Sequence, residues 1–269
     1  MKIFHGVVDG ASLESLALMP HRLSIQLSAY SYHKRRARFH HQRALFGYAK
    51  EVMVNNGLMW AWNEGATDWV NAQDSIIECA RSVGAHYTVM VDVPMEPNLL
   101  RTAGLSDRLA MAKTLENAKR FLDTDLPGKI FVVQGWREED YLSCIEAYRH
   151  IGVFDADCLI GIGTLFPHQP PRLYEIVDFV CRHLPVKKHV HCFGIWQGKR
   201  VKTLAGLGVD SCSTAMATTA GIMNEAINEQ GRINVGPQQT DAFMTALLIA
   251  RNQLALEMNA KTAEPERWR

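Results

Sequence analysis

Short β-branched, apolar runs alternate with longer amphipathic ones along the chain. The runs that predict strands are Ile3–Val8, Leu23–Ser28, Val52–Asn55, Tyr87–Asp92, Ile130–Gln134, Leu159–Gly161, His189–Phe193 and Val209–Cys212. They are near-continuous apolar stretches, as strands buried on both faces of a parallel sheet are. Between them the apolar positions recur at helical spacing. One stripe is Val70, Ile76, Ile77, Ala80 and Val83, and a second is Leu109, Ala112, Leu115 and Ala118, opened by Ser106 as N-cap. A third is Tyr141, Cys144, Ile145 and Tyr148, stopped by Gly152. A fourth runs from Leu173 to Leu184, between the Pro170-Pro171 pair and Pro185, and a last helix covers about residues 240 to 258. Strands alternating with helices imply βαβ units. Eight of them predict a single (β/α)8 barrel of TIM type spanning the whole chain, with a frayed tail after about residue 261. An open doubly wound sheet is disfavoured, because no G-x-G-x-x-G follows the first strand.

Composition narrows the class without naming a partner. The 269 residues are 47% hydrophobic and 21% charged, with a formal net charge of +1, so a polyanion would have to be met by local clustering. The six cysteines form no C-x-x-C pair and sit in apolar runs, which fits a reducing cytosol and free thiols. The start of the chain lacks the apolar core of a signal peptide, and no run is long enough to suggest a membrane span. A cytoplasmic protein with no membrane partner is expected.

In a barrel of this kind the chemistry lies at the C-terminal ends of the strands. The polar residues predicted there are Asn55-Asn56-Gly57, Asp92, Gln134-Gly135, Gly161-Ile162-Gly163, His191-Cys192-Phe193-Gly194 and Asp210-Ser211-Cys212-Ser213. A carboxylate such as Asp210 can attack an anomeric carbon and hold a glycosyl-enzyme intermediate. Asp92 and Gln134 can read a purine edge, glycines let a flat base approach the backbone, and Phe193 can stack on it. A base in such a pocket must be flipped out or presented on a loop.

Taken in order, Ile130 to Gly135, Leu159 to Gly163, His191 to Ile195 and Gly208 to Ser213 resemble the second half of the tRNA-guanine transglycosylases. Val190-His191-Cys192-Phe193-Gly194 and Val209-Asp210-Ser211-Cys212-Ser213 are still more similar to the DpdA-type proteins that insert 7-deazaguanines into DNA, and Leu27 to Tyr30 echoes that branch. The resemblance implies a base-exchange transglycosylase with a covalent Asp-glycosyl intermediate. Its substrate would be a polynucleotide, DNA favoured over tRNA, together with a free 7-deazaguanine such as preQ0. It implies a catalytic pair of Asp210, the nucleophile, and Asn55, which stands where the family has the Asp of an Asp-Ser-Gly motif. It implies a base site of Asp92, Gln134, Gly161, Ile162, Gly163, Phe193 and Gly194. Strict spacing against the tRNA enzymes sets Ser213 at the nucleophile position. The Asp-Ser-x-Ser pattern sets Asp210 there, and Asp210 is the expectation taken. Thr214 stands where the DNA branch has Trp. No cysteine follows Cys212, so the family's C-terminal zinc site is not expected, and neither is a cofactor.

The dense basic run from His33 to Arg43 follows the second strand. Its Lys34, Arg35, Arg36, Arg38 and Arg43 are the expected polynucleotide contacts. Trp60, Trp62 and Trp69 can stack on bases or pack. The stretch 221–239 is long enough for a lid. Three readings follow: the exchange enzyme, alone as a homodimer or with a helper subunit; a non-catalytic nucleic-acid-binding homologue partnering an active enzyme; and a metal-dependent hydrolase built on His189, His191 and Asp210.

Overall fold

The computed structural model describes residues 1–7, 10–185, 187–195, 198–214, 226–227, 233–234 and 242–261. Eight parallel strands close into a barrel in sequence order: β1 (Lys2–Val7), β2 (Ser24–Ser28), β3 (Glu51–Asn55), β4 (Tyr87–Val89), β5 (Lys129–Val133), β6 (Leu159–Ile162), β7 (Val190–Cys192) and β8 (Ser211–Thr214). β8 returns to β1 with Lys2 opposite Ser211 and His5 opposite Thr214. The expected architecture and its strands are therefore those observed. A separate antiparallel pair, β9 (Ala226–Ile227) and β10 (Ile233–Asn234), lies within the expected lid stretch. The rest of that stretch and the tail after 261 lie outside the described residues.

The connections carry α1 (Gly10–Ala17), α2 (Ala29–Lys34), α3 (Arg36–His41), α4 (Leu58–Asn63), α5 (Gln73–Val83), α6 (Pro97–Ala103), α7 (Asp107–Leu122), α8 (Glu138–His150), α9 (Arg172–His183), α10 (Gly198–Gly206) and α11 (Ala242–Lys261). Local chemistry sets several ends. Ser106 caps α7 by accepting from the Leu109 amide, and Gly84 closes α5 in the left-handed conformation at φ 64°. α8 opens with Glu138, Glu139 and Asp140 and ends on Arg149 and His150, both favourable to its dipole.

Ring contacts reveal which faces point inward. Phe4 on β1 meets Tyr87 on β4 edge-on with centroids 5.6 Å apart, and His191 on β7 at 5.8 Å. Strands so far apart around the barrel touch only across its interior. By the two-residue alternation of strands, Lys2 and Gly6 also face inward, and Ile3, His5 and Val7 face the helices. His5 accordingly meets Glu257 of α11 at 3.0 Å. Lys2, Ser24 and Tyr87 all donate to Glu51, which plugs the N-terminal end of the barrel. The outer face of the sheet packs on the helices through buried Phe121, Phe131 and Tyr148.

The Tyr148 hydroxyl donates to the Val132 carbonyl at 2.7 Å in that packed layer. Tyr148→Phe leaves this buried carbonyl short of a donor and should cost about 1–2 kcal/mol. The denaturant midpoint measures it; an unchanged midpoint would show that the bond contributes nothing net.

Candidate active site at the barrel mouth

A buried carboxylate organises the C-terminal end of the barrel. Asp92 lies three residues past β4, and its side chain is held from both sides. Asn56 Nδ2 donates to Asp92 Oδ1 at 2.5 Å, and Gln134 Nε2, one residue past β5, donates to Asp92 Oδ2. The Asp92 backbone amide also donates to this carboxylate. The Gln134 amide is oriented in turn by Thr164, whose hydroxyl donates to Gln134 Oε1 at 2.5 Å while accepting from the Met95 amide at 3.0 Å. Thr164 follows β6 with φ 53°, a left-handed conformation that a β-branched residue rarely adopts. Asn56 is fixed by its own contacts: its Oδ1 accepts from the Leu58 amide at 2.8 Å, and its carbonyl accepts from Trp69 Nε1 at 2.7 Å.

Burial pushes the Asp92 carboxyl up from its ordinary 3.8 to about 6, against the pull of Gln134 and Asn56. The group is therefore largely ionised at neutral pH and changes charge in mildly acidic solution. As an acceptor at the mouth, the ionised form suits a ligand that presents N–H donors.

The glycines clear the floor. A Cβ on Gly163 would strike the Gln134 amide, and one on Gly161 would lie 2.5 Å from the Phe193 ring. The Gly163 amide donates to the Val133 carbonyl at 3.0 Å and its carbonyl accepts from Tyr141 at 2.9 Å, so both groups already have partners. Ile162 is fully buried in the apolar layer, and the Phe193 ring lies 4.5 Å from His191. Gly194 takes φ 69°, with Phe166 against it. Of the expected base site, Asp92, Gln134, Gly163, Phe193 and Gly194 thus gather at the mouth. Gly161 lies one layer deeper, and Ile162 turns its side chain away.

The expected catalytic pair is not brought together. Asp210 precedes β8 and lies at the N-terminal end of the barrel, opposite Asp92. Its backbone accepts from the Lys2 amide at 2.9 Å and donates to the Val190 carbonyl at 3.0 Å. Its Oδ2 accepts from the Val190 amide at 2.8 Å, and its Oδ1 faces exposed His189 at 3.4 Å. This carboxylate caps the start of β7, at the rim away from Asp92. The expectation fails because the apolar run was read as a strand ending near Asp210, whereas pairing starts at Ser211. The inward place at the mouth of β8 belongs to Ser213. Ser211 bonds inward-facing His191 at 2.8 Å, and Ser213 lies two residues on. Asn55, in phase with inward-facing Glu51, holds the matching place on β3, and its Oδ1 is buried without a partner. The hydrolase constellation also separates: His191 is wholly buried and held well below an ordinary histidine, at about 3, by desolvation, whereas His189 is outside with Asp210.

The basic run forms α2, α3 and the turn that follows, on the mouth side of β2. It is partly neutralised: Lys34 pairs with Glu64, which also accepts from Tyr30 at 2.8 Å, and Arg36 pairs with Glu78 at 2.8 Å. Arg35 and Arg43 are exposed, and the Arg38 side chain lies outside the described residues. Among the tryptophans, Trp62 is buried, Trp69 is anchored on Asn56, and Trp60 is exposed. Thr164 was not among the residues expected at the mouth, and Asn56 was expected there without a role of its own. Asn56 carried a signal in its place beside Gly57, and Thr164 carried none.

A family model described as queuine tRNA-ribosyltransferase matches residues 64–248, more than half of the chain. The chain belongs to the queuine tRNA-ribosyltransferase family. By that membership it is a pentosyltransferase of the guanine-exchanging, transglycosylase type. No curated protein matches the chain at a significant level. In this family member the mouth holds a buried carboxylate, Asp92, and an amide, Gln134, and it places neutral side chains at the inward ends of β3 and β8. No described helix is long and apolar enough to cross a membrane.

The raised Asp92 group has a stability consequence. The folded state holds its proton up to about pH 6 and the unfolded chain only to about 3.8, so stability from this group is full below pH 4 and lost as pH rises through 6. Relative to Asp92→Asn, the parent should lose on the order of 2–3 kcal/mol between pH 4 and pH 7. Urea unfolding at both pH values measures it, and parallel profiles for the two proteins would contradict the buried-carboxylate account.

Proposed function

We propose that this chain binds a guanine-class base at Asp92 and Gln134 and exchanges it, within a polynucleotide, for a free 7-deazaguanine. The observation that carries the reading is the buried Asp92 carboxylate, oriented by Asn56 and Gln134 above a glycine floor. Guanine and its 7-deaza relatives present a ring N–H beside an exocyclic amine, donors that a buried carboxylate accepts from. The Gln134 amide can address the neighbouring carbonyl edge. A protonated Asp92 would set a donor against a donor, so binding needs the ionised form. DNA is favoured over tRNA on the likeness of Val190–Gly194 and Val209–Ser213 to the DNA-modifying branch. In the polymer the target base must leave its stack to enter so deep a mouth.

One observation favours a second reading. An aspartyl ester to the sugar needs a carboxylate at the inward end of β8, where this chain has Ser213, and the β3 position is Asn55 rather than a proton-transferring acid. A base-binding subunit that works beside a catalytic partner would carry that pattern.

Release of labelled guanine from duplex DNA, single-stranded DNA and tRNA, with 7-cyano- or 7-aminomethyl-7-deazaguanine offered, separates the two. Under the first reading the parent releases label, Asp92→Asn lowers the rate at least about a hundredfold, and Asp210→Asn exchanges at the parent rate. Tight base binding with no release from any polymer would establish the second. Loss of release in Asp210→Asn, with the fold intact, would return the nucleophile to that residue.

Affinity for the free base should rise about tenfold from pH 5 to pH 7 as Asp92 ionises near 6. Calorimetry of the free base reads it, and a flat profile in the parent would remove Asp92 from the contact.

A further inference from the structure

Arg200 is a permanent cation that the fold buries, and among the described residues it has no counter-charge. It is 4% exposed, and it is the third residue of α10, the helix that follows β7 at the mouth side of the barrel. Its Nη2 donates to Gln169 Oε1 at 2.9 Å in the loop between β6 and α9. Its Nε is buried with no acceptor. Among the described residues no carboxylate stands within ion-pair distance of it. One residue before Gln169, His168 also has a buried, unpartnered Nε2, with its ring 4.5 Å from that of Trp136.

A guanidinium in the first turn of a helix adds positive charge to the positive end of the helix dipole, which is unfavourable unless an anion offsets both. A buried guanidinium held by one neutral amide is likewise short of acceptors. An oxyanion would supply them, because its oxygens accept from Nε and from the first-turn amides together. Arg200 and Gln169 belong to the connections that follow β7 and β6, on the mouth side of the barrel.

We infer that Arg200 and the first turn of α10 form a phosphate site, filled by a backbone phosphate of the polynucleotide near the base held at Asp92. The shared chemistry is a phosphate oxyanion, which free phosphate also offers. The inference rests on the proposed polynucleotide substrate. A phosphate held there would fix the register of the strand while Asp92 and Gln134 read the base.

The test is fluorescence anisotropy of labelled single-stranded and duplex oligonucleotides over a salt series, with Arg200→Gln and Arg200→Lys beside the parent. Each phosphate contact contributes about 0.7 to 0.9 to the slope of log affinity against log salt. Arg200→Gln should flatten the slope by about that amount, and Arg200→Lys should keep it. Equal slopes in all three would overturn the inference and leave the proposed function standing. No binding by the parent would overturn both. Inorganic phosphate that raises the melting temperature of the parent but not of Arg200→Gln, together with equal slopes, would assign the site to free phosphate and overturn the backbone assignment. If Arg200→Gln fails to fold, the parent is titrated with oligonucleotides carrying one neutral methylphosphonate at each linkage in turn. One linkage beside the target base should then flatten the slope by a single contact, in the parent and in Arg200→Lys alike, and no such linkage would overturn the inference.

Discussion

The direction of the strands governs everything else in this molecule. Eight parallel strands in a closed barrel put every C-terminal end at one rim and every N-terminal end at the other. A residue just before a strand and a residue just after it are therefore separated by the depth of the barrel. Asp92, after β4, and Gln134, after β5, meet at one rim. Asp210, before β8, meets His189, before β7, at the other. Closure also fixes phase: once Phe4 faces inward, the alternation along β1 and the register with its neighbours decide which side chains line the interior.

Within that frame the mouth is a cooperative polar network. Thr164 orients Gln134, Gln134 and Asn56 hold Asp92, and Trp69 and Leu58 hold Asn56. Desolvation makes the Asp92 charge costly, and the donors aimed at it offset part of the cost. A site strained in this way is poised for a ligand whose donors complete the offset. A buried charge of the opposite sign stands at Arg200, whose Nη2 donates to Gln169 and whose Nε has no acceptor. One rim thus holds a buried anion and a buried cation with an unpartnered Nε, a pattern that suits a nucleotide, which presents donors on its base and negative charge on its phosphate.

Much of this was legible in the sequence. Each predicted strand lies within a few residues of the observed one, because buried parallel strands are continuous apolar runs bounded by turn residues. Ser106 and Gly152 mark real helix boundaries. Asp92 and Gln134 follow strands whose ends are sharply marked, so their place at the mouth was legible. Asp210 was misplaced because Val209-Asp210-Ser211-Cys212 offers no feature that says whether the carboxylate precedes or follows the first paired residue. Strict motif spacing pointed to Ser213, and the observed pairing agrees with that count for the inward position. Thr164 was invisible because its role comes from a left-handed backbone and a contact across to β5. α10 was missed because it is short and begins and ends on glycine. The expected charge of the basic run was overstated because Glu64 and Glu78, distant in sequence, fold onto it.

The central claim is that the base sits between Asp92 and Gln134, at the rim opposite Asp210. A crystal structure of the protein with 7-cyano-7-deazaguanine tests it most directly. The account predicts the base over Gly163, with its ring N–H and exocyclic amine on Asp92 and Phe193 at its side. Density for the base at the His189–Asp210 end of the barrel would contradict it.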